Sequence, residues 1–174
     1  MSSRILIEDT GNKAGKHRNI HEWADHEGVT IMRWKLPVGD YTMPTDQRVC
    51  VDTKYGLQEV YSNLIQDHRR FRAECELAQD MGIHLVILVE EPGIRSLEDV
   101  AAWKNPRRER WFKVNAAHKA GKLPKLKIPN TPPVPSARLM QTMATMTERY
   151  GVEWAFCSKA ETGARIWELL NRVF

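Results

Sequence analysis

The stretch that decides the fold is LPVGDYTMPTDQRVCVDTK, residues 36–54. The residues PVGD at 37–40 are typical of a turn, the alternating pattern at 48–54 predicts a strand, and 41–43 predict a shorter strand before it. Two strands joined by a short connection usually pair as a hairpin. We therefore expect Asp40 to lie near the polar end of the strand at 48–54.

Several polar side chains converge on that end of the hairpin. Asp52 and Lys54 are two residues apart and share one face of the strand. Asp9 follows a short apolar strand at 4–7 and joins Asp40 and Asp52 if the strands lie side by side. Carboxylate oxygens bind Mg²⁺, which activates water, and a lysine can orient that water. The set suits metal-assisted phosphodiester hydrolysis, although Asp-x-Lys taken alone is more often a solvated strand face.

Strands and helices alternate along the rest of the chain. The apolar patterns predict strands at 4–7, 29–36, 84–89 and 152–157, and helices at 17–27, from 57 to near Gly82, and at 96–103, 136–150 and 162–173. Such alternation favours an α/β fold with a mixed sheet covered by helices, in one domain that spans 1–174. A basic and Pro-rich segment at about 92–135 is predicted to be inserted in this domain, with five prolines between 124 and 135.

Positive charge is concentrated in the inserted segment. The whole chain carries a net charge of +4, yet residues 104–127 contain nine basic side chains and one acidic one, Glu109. The basic residues are Lys104, Arg107, Arg108, Arg110, Lys113, Lys119, Lys122, Lys125 and Lys127. Because Lys and Arg bind phosphate and aromatic rings stack on unpaired bases, we predict DNA contact by the first five and by Trp111. The alternative is an ordinary helix whose tryptophans pack inward and whose charges face water.

Other classes of protein fit the sequence less well. Since no run of about 18 apolar residues occurs, we expect no membrane-spanning helix, and the N-terminus has no signal-peptide core. Three cysteines without a CxxC pair argue against a disulfide framework and for a reducing, cytoplasmic compartment. His17 and His21 are four residues apart on a predicted helix, which is more often a surface pair than part of a zinc site.

The motif residues resemble a known family. The sequences LPVGDY at 36–41 and CVDTK at 50–54 look like the GD…ERKxxxD signature of the XPF-type structure-specific endonucleases. These enzymes belong to the PD-(D/E)XK, restriction-endonuclease-like superfamily. Further similar features are IEDT at 7–10, the helix residues Ser62, Leu64, Arg70 and Glu74, the strand LVILVE at 85–90, and the last strand and helix, as in bacterial and phage-encoded members.

The resemblance implies a fold, a site and an activity. The fold would be a restriction-endonuclease-like mixed sheet with helices on both faces. Asp9, Asp40 and Asp52 would bind Mg²⁺, or Mn²⁺, and Lys54 would be the catalytic lysine. The activity would be metal-dependent cleavage of branched, flap or otherwise structured DNA in the nucleoid. Family habit also implies a homodimer formed through the nuclease domain, whereas the chain ends at Phe174, so that we expect no helix-hairpin-helix module.

The chain departs from the family pattern at two positions. Thr53 replaces the family's arginine and is expected to offer its backbone carbonyl at most, and Gln58 replaces an acid, with Glu59 beside it. Glu74 completes the acidic cluster in one interpretation, with Arg70 on the DNA, while in the other the two form a surface i,i+4 pair. A Holliday-junction resolvase or restriction-type nuclease on the same fold, and a DNA-binding module whose nuclease site has decayed, remain alternatives.

Overall fold

The computed structural model describes residues 4–13, 15–122 and 129–172, and a six-stranded mixed sheet runs through its centre. The strand order is β2-β1-β3-β4-β5-β6. The strands are β1 Ile5–Asp9, β2 Thr30–Trp34, β3 Tyr41–Thr42, β4 Val49–Lys54, β5 His84–Glu90 and β6 Glu153–Cys157. The predicted hairpin is confirmed, because β3 pairs antiparallel with β4 through Tyr41 opposite Val51. The pairs β1–β2, β4–β5 and β5–β6 are parallel, as expected of a mixed α/β sheet.

Helices cover both faces of the sheet. They are α1 Arg18–Glu27, α2 Leu57–Tyr61, α3 His68–Asp80, α4 Pro106–Lys119, α5 Ser136–Tyr150 and α6 Thr162–Leu170. Residues from α2, α3 and α5 form one buried core with alternate residues of β4 and β5, and α1 and α6 form a second core on the opposite face. The strand β4 is buried along its whole length, since both of its faces are covered. The predicted fold class is confirmed.

The single long helix predicted from residue 57 to Gly82 is wrong, because the helix is interrupted. α2 continues into a π-helical turn at Ser62–Gln66, and α3 begins only after Asp67. The Asp67 N–H donates to the Ser62 carbonyl oxygen, five residues earlier, at 2.9 Å. Single π turns often occur at functional sites.

The segment at about 92–135, which the sequence predicts to be an insertion, contains helical structure. A 3₁₀ turn at Glu98–Ala102 packs against α5, and α4 follows, with the Asn105 side chain accepting hydrogen bonds from the N–H groups of Arg107 and Arg108 at its start. Lys125, Lys127 and Pro124 of this segment, and Val173 of the last predicted helix, lie outside the described residues. Within the described part of the chain, every helix is too short or too polar to cross a lipid bilayer.

Candidate active site

The predicted carboxylates meet in one cleft at an edge of the sheet. β1 and β4 run in the same direction, because each is antiparallel to β3. Asp9 ends β1, Asp52 and Lys54 end β4, and Asp40 directly precedes β3 between them. The cleft has a volume of about 620 Å³, and residues of the π turn and of α3 form its far wall. The hairpin and the strand order thus bring residues that are far apart in the sequence into one site.

Asp52 and Lys54 form a buried ion pair at the base of the cleft. Both side chains are about nine-tenths buried, and the Lys54 ammonium contacts Oδ2 of Asp52. Burial raises the pKa of Asp52, the Lys54 charge opposes this rise, and the carboxylates of Asp40 and Glu74 add to it. Burial acts to lower the pKa of Lys54, but Asp52, Glu74 and Glu59 outweigh it and leave that pKa raised. Lys54 is therefore held as a cation among carboxylates.

Thr53 fixes the orientation of Asp40. Oδ2 of Asp40 accepts hydrogen bonds from the Thr53 backbone N–H at 2.9 Å and from its hydroxyl at 2.5 Å. The expectation that Thr53 offers its backbone carbonyl at most is therefore wrong, because its side chain turns towards Asp40. The residue that replaces the family's arginine thus has a positioning contact of its own in the cleft.

Asp9 is anchored by the residues that follow β2. Its Oδ1 accepts the Leu36 N–H at 2.9 Å and a bond from Nζ of Lys35 at 3.0 Å, and its Oδ2 accepts the Gly11 N–H at 2.9 Å. Burial acts to raise the pKa of Asp9, but these bonds outweigh it and lower that pKa below its usual 3.8. The Asp9 N–H also donates to the Asp40 carbonyl at 2.8 Å, which couples the two aspartates through the backbone.

Glu74 reaches the turn that carries Asp40. Its Oε1 accepts the Gly39 N–H at 3.1 Å. Gly39 has a φ of +71°, and a Cβ there would lie 3.2 Å from the Val51 carbonyl, so the turn requires glycine. Arg70 is exposed and lines the same cleft, and among the described residues no ion pair joins it to Glu74. This arrangement favours the acidic-cluster interpretation of Glu74 over the surface pair.

Further charged residues line the cleft, and among them are Glu59 and Lys35, which the sequence patterns did not assign to it. Glu59 accepts the Tyr55 N–H at 2.7 Å and stands beside the position of Gln58. Lys35 reaches Asp9 from the end of a parallel strand 26 residues away. Parallel pairing is not visible in local spacing, so no signal in the sequence could have identified Lys35. Glu59 could have been identified from the sequence, because it is an acidic residue next to Gln58, at which the XPF-type motif has an acid.

The donor chemistry of the cleft suits Mg²⁺. In the described part of the chain, no three His, Cys, Asp or Glu side chains already form a metal-binding group. Mg²⁺, however, is commonly held by one or two carboxylates and takes its other ligands from water and substrate phosphate. Asp9, Asp40 and Asp52 offer such oxygens, and the buried Oδ2 of Asp52 has no hydrogen-bond donor besides the Lys54 ion pair among the described residues. The residues present therefore fit a Mg²⁺ ion.

The two histidines lie on the other face of the sheet. His21 Nε2 is 2.7 Å from Oε2 of Glu8, and Nδ1 of His17 contacts the Tyr41 hydroxyl. The surface-pair interpretation is wrong for His17, which is only 3 % exposed and whose pKa is lowered by burial. His17 thus belongs to a buried polar group under α1.

The basic helix α4 starts beside the cleft. Arg107 donates to Oε1 of Gln66, the last residue of the π turn, at 3.2 Å. Arg108 and Trp111 are half-buried and donate to the carbonyls of Pro133 and Pro129. They thus hold residues 129–135, the described part of the Pro-rich stretch after α4, which we call the connector. Lys104, Arg107, Arg110 and Lys113 are exposed. The exposed cations are available to an external anion.

Comparison with solved structures identifies the fold. The chain is similar to XPF from Aeropyrum pernix, with a TM-score of 0.60 and 17 % identity over 95 % of this chain and 63 % of that one. A second structure, XPF from Aeropyrum pernix in complex with DNA, gives a TM-score of 0.61 and 18 % identity over 96 % of this chain and 63 % of that one. The chain thus spans less than two thirds of the length of these neighbours. No model of a protein family matches the sequence, and no curated protein matches it.

Proposed function

We propose that the chain is a metal-dependent DNA endonuclease that hydrolyses phosphodiester bonds in branched, flap or otherwise structured DNA. The observation that carries this proposal is the buried Asp52–Lys54 pair beside Asp40, in a cleft at the edge of the sheet. One of the solved structures reported above is a complex with DNA, which supports DNA as the substrate.

A purely structural role explains the buried pair poorly. Taking two charges out of water costs several kcal/mol per ion, roughly, and apolar residues at the same place are often as stable or more so. Here burial and the further carboxylates around the pair together shift the pKa values of both groups. Clusters of perturbed groups in a cleft are typical of catalytic sites.

The residues of the cleft have different roles in hydrolysis. Asp9, Asp40 and Asp52 would hold Mg²⁺ or Mn²⁺, which supplies an acidic water and stabilises charge on the phosphoryl group when it is bound. The Lys54 ammonium donates hydrogen bonds to the attacking water or to a phosphate oxygen and offsets negative charge that develops there. Thr53 and Glu74 position the Asp40 turn, and Arg70, at the rim, binds the DNA backbone.

The basic helix brings the substrate to this cleft. The start of α4 is joined to the far wall of the cleft by the Arg107–Gln66 hydrogen bond. Lys104, Arg110 and Lys113 continue the positive surface, and Arg108 and Trp111 fix the connector on which the helix rests. Phosphates that follow this helix would therefore lead into the carboxylate cluster.

The decisive experiment compares two aspartates of the same hairpin. We expect Asp52→Asn to lower metal-dependent cleavage of flap, fork and junction DNA at least about a hundredfold, because it removes a charge at the reacting phosphate. Asp46→Asn is the matched control, since Asp46 pairs with Arg48 away from the cleft, and we expect it to cut like the wild type. Cleavage in the presence of EDTA, or equal cleavage by the Asp52 variant, would contradict the proposal.

A decayed DNA-binding module is the second candidate. Thr53 and Gln58, the two departures from the motif of the XPF-type endonucleases, favour it. Tight binding of all DNA substrates without cutting, in Mg²⁺ and in Mn²⁺, would select this candidate. A junction resolvase would need two sites, so a dimer in solution that makes paired cuts would favour that activity on the same fold.

A further inference from the structure

Trp34 is an exposed aromatic side chain at the end of β2, next to the strand that carries Asp9. It is 68 % exposed, the largest value among the exposed large apolar residues of the described chain. Exposing a tryptophan to this extent forgoes its large contribution to packing. A contact between the indole and a molecule outside the chain would account for this exposure.

The position of Trp34 is fixed relative to Asp9. The two residues are direct partners in the parallel pairing of β2 with β1, so their side chains share one face of the sheet. The Trp34 carbonyl accepts the Thr10 N–H at 3.2 Å. The next two residues, Lys35 and Leu36, both bond the Asp9 carboxylate. The backbone that carries the indole is thus tied to Asp9, a predicted metal ligand, and to Thr10, the residue after it.

We propose that Trp34 stacks on an unpaired base next to the phosphate that is cut, and so selects DNA in which the bases beside the cleft are not paired. This inference rests on the proposed function and names a specificity-determining residue for it. A flat, rigid ring stacks on any base, whereas the bases of an intact duplex are already stacked on one another. Lys35, the next residue, has a side chain that is 72 % exposed and an ammonium group that pairs with Asp9, so it adds a cation at the cleft for the adjoining phosphate.

The alternative occupant of this surface is a protein. Met32 lies two residues earlier on the same strand and is 49 % exposed, so the two side chains present a small apolar area on the same face. Two features favour a nucleic acid: the tie to Asp9 and the flanking lysine. A protein partner or a second copy of the chain would instead depend on Met32 as much as on Trp34.

The test measures binding in the Asp52→Asn background, in which the substrate stays intact. The probes are one duplex and the same duplex with a single-stranded flap. We expect Trp34→Ala to weaken binding of the flapped DNA about tenfold, as the loss of one base stack would do. Binding of the plain duplex should be unchanged, and Trp34→Phe should restore most of the affinity for the flapped DNA. The slope of affinity against salt should also stay the same, because stacking releases no counterions.

Controls separate this inference from the proposed function. Met32→Ala should bind both probes like the parent. The stacking role would be overturned if adding Trp34→Ala to the Asp52→Asn variant left its affinity for both probes unchanged. It would also be overturned if Met32→Ala weakened binding of the flapped DNA as much as Trp34→Ala. A change of oligomeric state in Trp34→Ala without a change in DNA affinity would also overturn it, in favour of a protein contact. Absence of metal-dependent cleavage by the wild type would contradict the proposed function, while the binding comparison would still decide the role of Trp34.

Discussion

At the scale of single residues, the site depends on contacts that sequence reasoning recovered only in part. The proximity of Asp40, Asp52 and Lys54 could be predicted because they lie on one hairpin, where alternation determines which side chains share a face. The contact of Thr53 with Asp40 could not, because a residue between two on one face is expected to point to the other. Thr53 lies near the end of β4, where its N–H and its hydroxyl both bond Asp40, and alternation does not predict this contact.

Thr53→Val tests this contact. The change keeps the branched shape and removes the hydroxyl that donates to Asp40. We expect kcat to fall about tenfold, since hydrogen bonds to charged groups contribute roughly 1.5–3 kcal/mol. Steady-state cleavage kinetics measure the effect.

Thr42→Val is the matched control for Thr53→Val. The Thr42 hydroxyl donates to the Val49 carbonyl at 2.7 Å in the same hairpin. Its loss should lower the free energy of unfolding by about 1 kcal/mol and leave kcat unchanged. If both variants lost stability and neither lost kcat, the Thr53 hydroxyl would have no positioning role.

At the scale of elements, local patterns predicted most strands and helices. They did not predict the break in the helix after β4 or the pairing of β2 with β1. The helix after β4 kept its apolar spacing through the π turn, with Leu64 and Phe71 both buried, so no signal marked the break. The pairing of β2 with β1 was also hidden, since α1 separates the two strands in sequence. That pairing is what brings residues 34–36 to Asp9.

Because Asp9 attaches β2 to β1, the free energy of unfolding should depend on pH in the acidic range. The folded-state pKa of Asp9 is lowered from 3.8, so the stabilisation is fully present above that value and is lost as the pH falls through the lower folded pKa. Asp9→Asn removes the titration. We expect its free energy of unfolding to fall less steeply than that of the wild type below about pH 4, as measured by urea denaturation at a series of pH values.

Asp25→Asn provides the control for charge alone. Asp25 is exposed on α1, and its substitution changes the net charge by the same amount. An identical pH profile in the wild type and in Asp9→Asn would mean that the Asp9 contacts do not form in solution.

At the scale of the whole molecule, charge is separated into two regions that adjoin. Carboxylates gather at the cleft, where Lys35 and Lys54 pair with two of them, while the exposed cations of α4 begin beside its far wall. These carboxylates belong to Asp9, Asp40, Asp52, Glu59, Asp67 and Glu74. The net charge of +4 hides this division. Composition alone could not reveal it, because it depends on the contact between the start of α4 and the π turn.

Charge reversal on α4 tests the division. We expect Arg107→Glu, Arg110→Glu and Lys113→Glu together to weaken DNA binding and to reduce the salt dependence of affinity, by about 0.9 in the logarithmic slope for each phosphate that the helix no longer binds. Arg108 is left in place because it holds the connector.

The matched control reverses Arg18, Lys159 and Arg165, which lie on α1, on the turn before α6 and on α6 itself. Affinity titrations of flapped DNA at several salt concentrations measure both slopes. If the two triple variants weakened binding equally, only total charge would matter and α4 would have no place on the path of the DNA.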